Sequence, residues 1–144
     1  MWKDFINKLT DTCQFKEPIS EKELLEVEKT LNLRFPDDLR SLLFESNGVE
    51  GEYGTDLVWS LERIKEDNLN FRASSSFAEL YMPFDSLLFF GDAGNGDQFA
   101  FPILNLSLCK DDIFVWNHED DSRQWVAPSL KTFVKWWIDG TIKI

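Results

Sequence analysis

Histidine is nearly missing from this chain of 144 residues, where His118 stands alone. A zinc site made of histidines is therefore excluded. Any Ser-His or Cys-His catalytic arrangement would need His118 itself as the base. Cysteine is scarce as well, with only Cys13 and Cys109, far apart in sequence. That makes a mixed Cys/His zinc site a poor fit. One disulfide between the two stays open, but without an export signal two free thiols in a reducing cytoplasm are expected. Basic residues are in short supply: Lys plus Arg total 15 against 26 Asp plus Glu, a formal net charge of −11. A DNA or RNA binder needs a basic footprint to neutralise phosphates and release counterions, and this chain has none. An anionic membrane surface would repel it too. A basic protein partner would be attracted and steered. The plainer consequence of the acidity is solubility.

Long apolar runs are also lacking. No stretch approaches the ~18 uninterrupted apolar residues of a membrane span. The first residues, Met1 to Leu9, mix charge with apolar groups and show neither an h-region nor a small-residue cleavage site. The expected location is the cytoplasm. Low-complexity runs and internal repeats are missing, and hydrophobic residues make up 43%, so disorder is excluded. One domain over residues 1–144 is expected.

Aromatic residues are what this chain has in quantity: 13 Phe and 6 Trp. They are ample material for a core. The adjacent Trp136 and Trp137 must point to different sides of one helix, which leaves at least one partly exposed.

Trp2, Phe5, Ile6 and Leu9 form one apolar stripe of a short helix. Ser20 and Glu23 make a capping box opening a second helix, with Leu24, Val27, Leu31 and Leu25 on its buried side and Asn32-Leu33 at its end. Phe35-Pro36 opens a third helix, with Asp37 and Asp38 at its positive end and Leu39, Leu42 and Leu43 at helical spacing. Asn47-Gly48 is expected to close it through a left-handed residue. Gly51 to Gly54 reads as a turn and Leu57 to Ser60 as a short strand. Ser60 then caps a helix through Leu61, Ile64, Lys65 and Asn68-Leu69. Phe71 to Met82 lacks a pattern, apart from a helical turn at Phe77, Leu80 and Tyr81.

The strongest local signal is the stretch Leu87 to Phe101. Its flanks are apolar and aromatic, long enough for one strand each. Between them, Gly91-Asp-Ala-Gly-Asn-Gly-Asp97 holds three glycines, two aspartates and an asparagine. Such a run turns the chain, using residues that tolerate positive φ and side chains that bond nearby N–H groups. A β-hairpin is predicted, with Gly94 or Gly96 at positive φ. Pro102 cannot donate to a ladder and marks a bulge or an edge. Ile113 to Trp116 and Trp125 to Ala127 read as two further strands joined by an Asn117–Arg123 turn. Leu130, Phe133, Val134 and Trp137 stripe a last helix that Gly140 ends.

The glycine loop does not match the phosphate-binding patterns. A dinucleotide site needs a third Gly and a following helix, and a P-loop needs Gly-Lys-Ser/Thr, whereas Gly96 is followed by Asp97. An EF-hand counted from Asp92 would put Asp97 where Gly belongs and Ile103 where Glu belongs. A weaker calcium site from Asp92, Asn95 and Asp97 is conceivable, but such oxygens more often satisfy the loop's own N–H groups. His118-Glu-Asp-Asp121 reads as a solvated turn, with His118 bonding a backbone carbonyl. Nothing selects a catalytic pair among the carboxylates. No metal and no cofactor are expected.

Phe90-Gly-Asp-Ala-Gly-Asn-Gly-Asp-Gln-Phe99 resembles the signature loop of the SUKH superfamily, also called the SMI/KNR family. The Pro36–Gly48 helix, the Trp59 strand leading into a helix, and the strand–acidic turn–strand–helix order at the C-terminal end are similar to that family in the same sequence. The resemblance runs from about residue 20 to the end. The expected fold is α+β: an antiparallel sheet of about four to six strands, with N-terminal helices and a C-terminal helix packed on it.

The resemblance implies a non-enzymatic binding module. Family members are largely bacterial immunity proteins that neutralise polymorphic toxins, often nucleases or deaminases, by stoichiometric binding. The alternative is a regulatory scaffold, as for the fungal members in cell-wall synthesis. The expected partner is a basic cognate toxin, met by a monomer or weak dimer. The candidate partner-binding residues sit on three acidic loops: Glu50 and Glu52; Asp92, Asn95 and Asp97; and His118, Glu119 and Asp120. Tyr53 or a Trp is expected at the rim. Sequence leaves open whether these loops converge.

Overall fold

The computed structural model describes residues 1–104 and 108–143, and the side chains of Tyr53 and Leu108 fall outside the described set. In chain order the elements are α1 (Trp2–Leu9), β1 (Gln14–Phe15), α2 (Glu21–Leu31), α3 (Asp37–Glu45), β2 (Val49–Glu50), a 3₁₀ turn (Glu52–Gly54) and β3 (Asp56–Val58). Then come α4 (Leu61–Ala73), α5 (Ser75–Leu80), β4 (Leu87–Asp92), β5 (Gln98–Leu104), β6 (Leu108–Cys109), β7 (Ile113–Trp116), β8 (Arg123–Ala127) and α6 (Leu130–Ile138). The fold is α+β. Its strands form two antiparallel sheets, one ordered β1-β2-β3 and a larger one ordered β4-β5-β7-β8, with β6 also paired to β5.

The two sheets meet along β3 and β4. Trp59 N–H donates to the Phe90 carbonyl at 2.7 Å. Beside this bond a Cβ on Gly91 would lie 2.6 Å from the Leu57 carbonyl oxygen, so only glycine lets the backbones come this close. Every residue from Leu87 to Gly91 is buried, because both faces of β4 are covered. Phe89 packs on one face against Phe71, Phe84 and Trp116. Phe90 packs on the other against Phe101 and Phe133. A strand covered twice has no polar alternation, which explains the unbroken Leu-Leu-Phe-Phe run.

Most predicted starts and stops are present. The Ser20/Glu23 capping box is complete, and Asn32 closes α2 in the left-handed conformation. Ser60, Ser74 and Ser129 each cap a helix through the side-chain oxygen. Gly94 and Gly96 both hold positive φ, at 94° and 97°.

Three expectations need correction. Leu25 is 50% exposed, because the inner stripe of α2 is Leu24, Val27, Glu28 and Leu31. Glu28 takes a core position since its carboxylate accepts the buried Phe35 N–H at 2.7 Å and faces Arg40 at 3.9 Å. Helix α3 is closed by Ser46 in extended conformation, while the left-handed residue, Gly48, lies two positions on. Phe71 to Met82 is helical over most of its length: α4 runs to Ala73 and α5 spans Ser75–Leu80. The pattern is hidden because these helices bury rings, with Phe71 and Phe77 stacked at 5.3 Å, where an aliphatic stripe would be legible. The two-residue strands β1, β2 and β6 carry no period and were not foreseen.

Candidate partner-binding surface

Three loops meet at one end of the sheets: Gly51–Thr55 before β3, Ala93–Asp97 between β4 and β5, and Asn117–Ser122 between β7 and β8. The hairpin tip lies in the middle. Ala93 N–H donates to the Asp97 carbonyl at 3.0 Å. Asn95 Oδ1 accepts the Asp97 N–H at 3.0 Å, the local bond that turn asparagines supply. Gly94 faces the first loop, with Thr55 Oγ1 4.0 Å from where a Cβ would stand. Gly96 faces the third, where a Cβ would meet the His118 ring at 2.8 Å.

Two of the loop aspartates are used inside the molecule. Asp97 is buried, and its Oδ1 lies 2.7 Å from His118 Nδ1 and accepts the His118 N–H at 3.1 Å. This corrects the expected backbone-carbonyl partner of His118: the ring binds a carboxylate, because the turn folds back over the hairpin. The His118 carbonyl in turn accepts the Tyr81 hydroxyl at 2.8 Å. Asp92 forms a fork with Arg63, whose Nη1 and Nη2 donate at 2.8 and 3.0 Å. Arg63 also reaches Asp56 at 3.2 Å and Asp67 at 3.0 Å, and lies 4.2 Å over the Trp59 ring. Burial opposes its charge, yet the bonds from Asp92 and Asp67 outweigh that and hold the guanidinium pKa above its usual value.

Of the other candidate acids, Glu50, expected on a loop, instead ends strand β2. Glu52, Glu119 and Asp120 are exposed and Glu50 half-buried, and none of the four has an ion-pair partner among the described residues. Asn95 is exposed at the hairpin tip. Asp120 accepts the Ser122 N–H at 2.8 Å, and that bond keeps its pKa below the usual carboxylate value. The expected rim residue Tyr53 has its side chain outside the described set.

Asp121, expected as part of a solvated acidic turn, is instead bonded inward and organises the third loop. It holds φ at +60° and its carboxylate accepts Trp116 Nε1 at 2.8 Å, Met82 N–H at 2.8 Å and Arg123 Nη2 at 3.2 Å. Only the positive φ had a sequence cue, in that Asp tolerates it better than most residues. A groove of about 390 Å³ opens beside the first two loops, lined among others by Cys13, Glu52, Thr55, Ala93 and Trp137. Both cysteines are free. Burial, and then the charge of Glu52, pushes the Cys13 thiol up; burial pushes Cys109 to about 12. Both shifts disfavour the reactive thiolate. Among the described residues no cluster of three His, Cys, Asp or Glu could hold a metal ion, and no helix is long and apolar enough to cross a membrane.

The contacts yield a graded expectation. Replacing Gly96 with Val should cost about 1–3 kcal/mol, from positive φ plus the His118 ring. Gly94→Val should cost less, since only Thr55 stands near it. Urea unfolding of both variants measures the order, and an equal or reversed order contradicts it.

A SUKH family model, described as SMI1-KNR4 cell-wall, matches residues 21–134, a span that contains all three loops. The Bacillus subtilis (strain 168) protein named Uncharacterized protein YnaB is 39% identical over 57 residues, which cover 40% of this chain and 39% of that protein. The chain thus matches well under half the length of this relative. With the family model covering most of the chain, from the capping-box helix through the hairpin to the aromatic last helix, the protein belongs to the SMI1-KNR4 family of the SUKH superfamily.

Proposed function

We propose that this chain is a non-enzymatic protein-binding module, an immunity protein that neutralises a basic cognate toxin of nuclease or deaminase type in the cytoplasm. It acts as one domain over residues 1–144 and blocks the toxin by occlusion, without turnover. The observation that carries this reading is the convergence of three loops whose exposed acids, Glu52, Glu119 and Asp120, lack ion-pair partners among the described residues, as does the half-buried Glu50 at the end of β2. A nuclease must hold a basic cleft for its substrate, and a negative surface complements it. Within this reading Asp92, Asp97 and His118 shape the surface from beneath, and Asn95 contacts the partner from the hairpin tip.

The test begins with partner capture from the source organism and identification of the bound protein. Association kinetics then follow. Raising salt from ~50 to ~500 mM should slow association by about tenfold or more, because the Debye length shrinks well below 10 Å. Glu119→Lys should slow association more than it speeds dissociation. A salt-insensitive association rate, or full neutralisation by a variant with all four of these acids changed to Ser, would move the interface elsewhere. The cell-wall description of the matching family supports a second reading, a regulatory scaffold in cell-wall synthesis. A captured partner from that machinery, and no toxin, would select it.

A further inference from the structure

We propose that the outer edge of β8 is a self-association site, where a second copy of this chain adds its own β8 antiparallel and continues the sheet across two molecules. The two edges of the larger sheet are treated differently. The outer edge of β4 is closed by other parts of the chain. Leu87 O accepts from Arg72 Nη2 at 3.2 Å, and Phe90 O accepts from Trp59 N–H at 2.7 Å. Between them Asn68 does the work of a neighbouring strand: its Oδ1 accepts the Phe89 N–H and its Nδ2 donates to the Phe89 carbonyl, both at 2.9 Å.

At the opposite end of the strand order, β8 pairs only with β7 among the described residues. Among the described residues no side chain bonds its backbone. Open edges are usually guarded by Lys, Pro or an inward charge. The strand, Arg123-Gln-Trp-Val-Ala127, has no Lys or Pro, and its one charge, Arg123, is spent on Asp121 and the carbonyls of Met82 and Pro83. It presents instead Trp125, 51% exposed, its indole N–H tied to Asp112 at 3.1 Å. A half-exposed, oriented tryptophan on an open edge has the character of an interface anchor.

Charge selects the occupant. A basic partner is drawn to the acidic loops, whereas β8 contains no carboxylate. The acids that flank it, Asp112 and Asp121, are already bonded to Trp125 and Arg123, so two copies of a chain of net charge −11 can meet here with little opposed free charge. The pairing to β7 skips Val126, a bulge that leaves Arg123–Trp125 regular. A two-fold pairing centred on Gln124 uses that regular part. It sets Trp125 of each copy directly across from Arg123 of the other, which brings both exposed tryptophans to the centre of the joint. It also carries the Glu119–Asp120 turn of each copy toward the start of α6 in the other, where the helix dipole is positive.

Sedimentation velocity from about 1 to about 300 µM, with hydrogen exchange of the β8 amides at both ends of that range, tests the proposal. A mass that doubles with concentration, together with slower exchange in β8, is expected. Trp125→Lys, the substitution that guards natural edges, should weaken the dimer by about tenfold or more, and Trp125→Tyr should retain it. Circular dichroism verifies that the lysine variant is folded, and the exchange data on the unmodified chain stand without any variant. A single monomeric species over the whole range overturns the proposal. So does a dimer whose β8 amides exchange at the monomer rate, or one indifferent to Trp125→Lys.

Discussion

Replacing Asn68 with leucine is expected to lower the unfolding free energy by about 2–5 kcal/mol, since two buried backbone groups would each lose their partner. Asn68 is 1% exposed, and its amide serves both the N–H and the carbonyl of Phe89 while also bonding Ile64 O at 2.7 Å. Leucine matches the volume, so cavity formation contributes little and the loss reports the hydrogen bonds. The side chain stands where a further strand would stand, and among the described residues no other group bonds the outer N–H and carbonyl of Phe89. Urea denaturation measures the loss, and hydrogen exchange at Phe89 should speed up with it. A loss below ~1 kcal/mol would mean that water reaches this edge and satisfies it.

The second large effect is expected at Gly48. Alanine there should cost about 2–5 kcal/mol, the sum of a left-handed strain and an overpacked contact. Its φ is +90°, and an added Cβ would lie 2.9 Å from Ser60 N, 2.9 Å from the Val58 carbonyl oxygen and 3.0 Å from the Trp59 carbonyl carbon. All three are backbone atoms, so no rotamer change relieves the crowding. The control is Gly54, with φ +73° and nothing within 4 Å of its added Cβ. Gly54→Ala carries the strain alone, about 1–2 kcal/mol. Thermal and urea melts of both variants separate the two causes. Equal losses would remove the steric account and leave only the dihedral one.

Gly48 also illustrates how local grammar can mislead. Asn47-Gly48 looks like a helix stop, yet the helix has already ended at Glu45. The pair serves the next helix instead: Asn47 Oδ1 accepts the Leu61 N–H at 2.7 Å, and Gly48 lets the chain pass the backbone of Val58 to Ser60. The same residues would suit either use, and only the approach of a distant segment selects one. Leu25 and Glu28 exchange roles for a similar reason. Periodicity identifies the face of α2, but a carboxylate belongs in the core only once Phe35 N–H is there to be bound.

At the loops, residue type and spacing were enough to identify a tight acidic hairpin and an acidic turn between two strands, because turn chemistry is local. Which carboxylates remain outward was not legible. Asp92 and Asp97 look like Glu119 and Asp120 in sequence. Arg63 and His118 consume the first two from 29 and 21 residues away.

By itself, the sequence determined helix caps, the hairpin with its positive-φ glycines, the strong aromatic core and the negative charge. Each of these depends on neighbours within a turn or two, or on composition alone. Only the tertiary structure decided that three loops share one end, that one sheet edge is closed by Asn68 while β8 stays open, and which acids face the solvent. Those outcomes depend on hydrogen bonds and contacts between segments far apart in the chain, and such pairings have no period for a linear pattern to record.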